Sequence, residues 1–75
     1  MFAKTYKFEY PLKQVSQPVV TRLVKDFDVS PNILSANIDP RLGGWLIVEL
    51  LGDEDSVKQA ITWTVEQGIT VVDQP

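Results

Sequence analysis

Residues 3–10, Ala-Lys-Thr-Tyr-Lys-Phe-Glu-Tyr, alternate strictly, with Tyr6, Phe8 and Tyr10 on one face and Thr5, Lys7 and Glu9 on the other. That is the mark of a half-buried strand. Pro11 closes it, since proline cannot continue a central ladder. The period then changes. Val20, Leu23, Val24 and Phe27 recur at helical spacing, with Ser16 or Gln17 as the cap and Pro18 in the first turn. Asp26, Asp28 and then Ser30-Pro31 end this helix, because the residue before a proline is pushed out of the helical region. Alternation returns from Asn32 to Asp39, with Leu34, Ala36 and Ile38 on one face. A turn containing Gly43 and Gly44 leads to the run Trp45–Leu51. There Leu46, Val48 and Leu50 face one way and Trp45, Ile47, Glu49 and Leu51 the other. Gly52 and Asp53 break the strand and cap a second helix, whose first-turn acids Glu54 and Asp55 suit the positive end of its dipole. Val57, Ile61, Thr64 and Val65 supply its apolar side. Gly68 suits the left-handed position after its end, and Ile69–Val72 form a short last strand.

The predicted order is βαββαβ in one domain spanning residues 1–75. An α+β ferredoxin-like or ACT-like sandwich is expected, a four-stranded antiparallel sheet with both helices on one face. Its other face is the anomaly. A two-layer domain normally carries polar residues there, yet Ile33 and, across the hairpin, Trp45, Ile47 and Leu51 fall on that side. An apolar open face implies a cover, most simply a second copy of the chain. Trp45, Ile47 and Leu51 are therefore the expected interface residues. Trp63 sits one residue beyond the apolar seam of its helix and is expected to be half exposed.

Composition narrows the chemistry. The 75 residues include no cysteine and no histidine. Disulfides, iron–sulfur clusters and thiol nucleophiles are excluded together, and the commonest general base and metal ligand are missing. No metal, no cofactor and no catalytic residue is expected, and the chain does not read as an enzyme. With a net charge of −3 and seven scattered basic residues, it does not read as a nucleic-acid binder either. Tyr6, Phe8 and Tyr10 resemble the stacking aromatics of RNA-recognition domains, but the acidic balance favours a role in the core. Arg22 or Arg41 with an Asn resembles the acylphosphatase arrangement, yet Pro11-Leu12-Lys13-Gln14-Val15 has no glycine to cradle a phosphate. Asp53-Glu54-Asp55 is better explained as a helix start than as a cation site. The amino terminus has no apolar signal region, and no stretch approaches the roughly 20 apolar residues of a membrane helix. A soluble cytoplasmic protein, not embedded in a membrane, is expected.

The hairpin Asn32-Ile33-Leu34-Ser35-Ala36-Asn37-Ile38-Asp39, its turn Pro40–Gly44 and the run Trp45–Gly52 resemble the NIL domain, named after its Asn-Ile-Leu tripeptide. The resemblance extends from about Phe8 to Val72. That domain is best known as the C-terminal regulatory module of methionine-importing ABC transporter ATPases. The resemblance implies pairing with a second copy and an amino-acid ligand, methionine first, bound around that pairing. It carries Asn32 over as the ligand-site residue, whose amide offers both donor and acceptor to an amino acid. Ile33 follows as a weaker pocket candidate. The chain has no Gly-x-x-x-x-Gly-Lys-[Ser/Thr] loop, so a stand-alone regulatory domain is implied rather than an ATPase. Thr64 stands where the family usually has leucine. The alternative function is a ligand-free module that lends its open sheet face or strand edge to a transporter or redox partner.

Overall fold

The computed structural model describes residues 1–14 and 18–74. Strand β1 runs Phe2–Tyr10, helix α1 Val19–Phe27, β2 Ser30–Asp39, β3 Gly43–Gly52, helix α2 Glu54–Glu66 and β4 Thr70–Asp73. The four strands form one sheet in the order β2-β3-β1-β4, with every neighbouring pair antiparallel. The expected α+β architecture is therefore present. Ser16 and Gln17, the expected caps of α1, lie outside the described residues. Pro18 stands at the N-cap position, one residue before the helix, and its carbonyl accepts the Arg22 N–H at 3.0 Å.

Local chemistry accounts for the ends of the elements. α1 stops at Asp28, which adopts the left-handed conformation at φ 55°, a geometry that Asp tolerates better than most residues. α2 stops at Gly68, φ 90°, whose N–H reaches the Val65 carbonyl at 3.0 Å. In the central hairpin, Gly43 has φ 91°, and a Cβ there would lie 2.6 Å from the Tyr10 carbonyl oxygen. Gly44 is needed for a different reason: a Cβ would run into the Asn37 carbonyl. The Asp39 carboxylate holds the turn by accepting the Arg41 N–H at 2.7 Å.

The core lies between the sheet and the two helices. Tyr6, Phe8 and Tyr10 of β1 and Leu46, Val48 and Leu50 of β3 form its floor. The helices meet this floor on stripes that differ from the expected ones. α1 buries Val19 and Leu23, with Val20 and Phe27 partly buried, while Val24 is 51% exposed. α2 buries Val57, Ala60 and Thr64, while Val65 is 52% exposed. Each helix carries enough apolar residues for two overlapping stripes, and the flat sheet can touch only one. Ala60 escapes pattern reading because a methyl group is a weak hydrophobic signal. Thr64 is fully buried and donates its hydroxyl to the Ala60 carbonyl at 2.8 Å, so the polar atom is satisfied within its own helix.

The shifted stripe can be checked by a pair of substitutions in neighbouring positions. Leu23→Ala is expected to cost about 3 kcal/mol in a urea titration. Val24→Ala is expected to change stability by less than about 0.5 kcal/mol.

Candidate functional site

Because residues directly opposite one another across antiparallel strands share a face, the ladder reads out the open surface row by row. Ser30, Leu51 and Ala3 make one row; Asn32, Glu49 and Thr5 the next. Ser35, Ile47, Lys7 and Val72 follow, and then Asn37, Trp45, Glu9 and Thr70. Trp45, Ile47 and Leu51 are thus together on the open face, each half-buried, down the middle strand β3. Asn32 is exposed beside them. Lys7 is the one cation in these rows. Its ammonium lies 3.7 Å from the Glu9 carboxylate and 5.6 Å from the centre of the Trp45 ring.

Ile33 is not on this face. It pairs with Val48, a fully buried core residue, so it points to the helix side, opposite to Asn32. The register then slips between Ile33 and Ser35, leaving Leu34 as the extra residue of a β-bulge. Strict period-two reading fails here because a bulge inserts one residue without an opposite number.

On the helix side, Ile33 instead lines a groove of about 260 Å³ between the start of α1 and the edge strand β2. Val20 and Ile38 form its sides and Tyr10 and Leu46 contribute from below. Tyr10 is only 7% exposed, and burial pushes its phenol from 10.0 up to about 12. Pattern reading missed this groove, since its walls come from two elements whose relative placement is set by the fold. A cleft of about 570 Å³ lies elsewhere on the helix side, between α2 and the outer ends of β1 and β4. There the Lys4 ammonium meets Asp73 at 3.1 Å and Lys58 meets Glu54 at 3.3 Å. The hydrogen bond to Asp73 holds the Lys4 pKa above its usual value. Trp63 is half-buried as expected, with its ring centre 5.6 Å from that of Phe27 and 5.5 Å from the Arg22 guanidinium. Among the described residues no three His, Cys, Asp or Glu side chains are placed to hold a metal ion. Among them, too, no helix is long and apolar enough to cross a membrane.

Comparison with known proteins gives these surfaces a context. The NIL domain family model matches residues 4–72. Methionine import ATP-binding protein MetN 2 of Acinetobacter baylyi is 38% identical over 69 residues, 88% of this chain and 20% of that protein. The methionine import ATP-binding protein MetN of Helicobacter hepaticus is 32% identical over 71 residues, 91% of this chain and 20% of its own length. The chain thus spans about a fifth of the length of these relatives. Among solved structures, the C-terminal domain of an ABC transporter ATP-binding protein from Enterococcus faecalis matches with a TM-score of 0.82. That match covers 93% of this chain and 81% of the other at 20% identity, which shows a shared fold.

The buried phenol provides a test of the groove. Its neutral form is favoured in the folded state, so its contribution to stability is complete below pH 10.0 and is lost as pH rises to about 12. A tyrosinate absorbance titration of the folded protein should contain one component with a midpoint near pH 12 that is missing in Tyr10→Phe.

Proposed function

The chain belongs to the NIL domain family, the C-terminal regulatory domain of methionine-import ATPases, and on that premise we propose that it is a sensor of a methionine-like amino acid. It acts as a homodimer in the cytoplasm, binds its ligand at Asn32 on the open sheet face, and passes the bound state to a transporter. The observation that carries this reading is the setting of Asn32. Its exposed amide stands across the hairpin from a carboxylate, Glu49, in a row flanked on β3 by the half-buried Leu51 and Ile47. Such a surface offers hydrogen-bonding groups for the polar end of an amino acid and apolar contact for its side chain. Methionine is the first candidate because the relatives are methionine import proteins.

Two features support a second copy as the cover. Trp45, Ile47 and Leu51 lie in line on a face that no helix covers. Strand β2 is also a free ten-residue edge with no charged side chain before Asp39. Charges are one device that deters edge pairing; Pro31 and the bulge at Leu34 are two others, which leaves the stretch from Ser35 to Ile38 as the open part of the edge. These features equally favour a second reading, a ligand-free module that uses the face or edge to hold another protein.

Thermal melting against the twenty amino acids separates the two. A ligand that binds only the folded state at ~100 times its Kd adds roughly 2.7 kcal/mol, enough to raise the Tm of so small a domain by about 10 °C or more. A rise with methionine that disappears in Asn32→Ala is expected. A flat response across the panel rules out the sensor and leaves the interaction module. Sedimentation equilibrium tests the pairing: the domain is expected to run as a dimer and Ile47→Lys as a monomer. A monomeric parent domain would remove the homodimer from the proposal.

A further inference from the structure

We propose that Glu49 is the ammonium-binding residue of the ligand site, so that the open face recognises the zwitterion of an α-amino acid through Glu49 and Asn32 together. This rests on the amino-acid reading given above and assigns the recognition to named groups.

Glu49 and Asn32 are direct cross-strand partners, which places their Cβ atoms about 4.5–5.5 Å apart on the same face. Thr5 stands on the other side of Glu49 in the same row. Among the described residues neither the Glu49 carboxylate nor the Asn32 amide has a side-chain hydrogen bond or an ion pair. The nearest cation in the face, Lys7, is one row away and is engaged with Glu9 and the Trp45 ring. Glu49 is therefore the one unbalanced charge in the rows of the open face. It is also half-buried on a middle strand, with Ile47 and Leu51 two residues away on either side.

A carboxylate in that position attracts an ammonium group. The neighbouring amide can donate its N–H to a carboxylate, and an α-amino acid holds those two charges on one carbon. Its side chain then extends over Ile47 or Leu51, which favours an uncharged aliphatic or thioether group. The helix-side cleft and the groove beside α1 do not offer this combination. In the helix-side cleft, Lys4 and Lys58 are already matched to Asp73 and Glu54. In the groove beside α1, the lining carries no charged side chain.

The assignment predicts which end of the ligand matters most. The ammonium meets a charge and the carboxylate meets a neutral amide. Removing the amino group should therefore cost more affinity than converting the carboxylate to an amide. The test is calorimetric titration of wild type and Glu49→Gln with methionine, methioninamide and the deaminated analogue of methionine. Wild type is expected to bind methionine best and to lose at least about tenfold with the deaminated analogue. Glu49→Gln is expected to lose a similar factor for methionine and no longer to distinguish the two. Asp55→Asn, which removes a carboxylate from α2 away from the open face, should bind as wild type does. Wild-type affinity for methionine in Glu49→Gln, or equal affinity of wild type for methionine and its deaminated analogue, would overturn the assignment of Glu49 while leaving the sensor standing. The analogue comparison needs only the wild type, so it decides even if Glu49→Gln fails to fold. No binding of any amino acid to wild type would overturn the sensor, and Glu49 with it.

Discussion

The pairing of β1 with β3 is the constraint from which the other surfaces follow. Phe8 lies opposite Leu46 and Tyr6 opposite Val48, and these side chains are buried beneath the helices. A slip of one residue would bring Lys7 and Glu9 into the core and expose the aromatics, so the register is strongly specified. Once it is set, the residues between have no choice of side. Thr5, Lys7 and Glu9 on β1 and Trp45, Ile47, Glu49 and Leu51 on β3 must line the opposite surface. The open face is thus a consequence of how the core is packed, and the same backbone ladder holds both.

A domain of this size has little stability to spare. Its core is one layer deep, and the half-buried apolar residues of its open face remain uncompensated in an isolated copy. Covering that face with a partner or a ligand adds directly to the free energy of the folded state, because the unfolded chain offers no such site. Any binding to that face is therefore coupled to stability by mass action. A domain built in this way needs no large internal rearrangement to respond to a cover, since a change in the population of the covered state is sufficient.

The two middle strands were fully legible in the sequence because aromatic and aliphatic residues alternate there with polar ones over long runs. The order of the elements and their turns was legible for a similar reason: Gly43, Gly44, Gly52 and Gly68 mark the breaks. The helix stripes were legible only approximately. Val19 and Ala60 are buried where Val24 and Val65 were expected, and the choice depends on the sheet beneath, which no single helix encodes. The face of Trp45, Ile47 and Leu51 could be read from parity alone. The cross-strand partnership of Asn32 with Glu49 could not, since register across a hairpin depends on the turn and on any bulge. The groove around Tyr10 was likewise invisible, because it exists only where α1 and β2 come together.

The bulge at Leu34 reconciles two demands on β2 that simple alternation cannot meet. Asn32, Ala36 and Ile38 all occupy even positions, so an unbroken strand would put them on one face. If Asn32 faced the helices, its amide would lie over the apolar floor with its polar atoms to satisfy. If Ala36 and Ile38 faced outward with it, Ser35 and Asn37 would turn toward the core side, opposite Leu46 and Gly44. One extra residue resolves the conflict. Before Leu34 the ladder pairs Asn32 with Glu49 on the open face; after it, Ala36 meets Leu46 on the helix side. The strand thereby turns Asn32 to the open face in its first half and Ala36 and Ile38 to the helix side in its second. The cost of one unpaired residue falls on an outer strand, where a bulge is most easily accommodated.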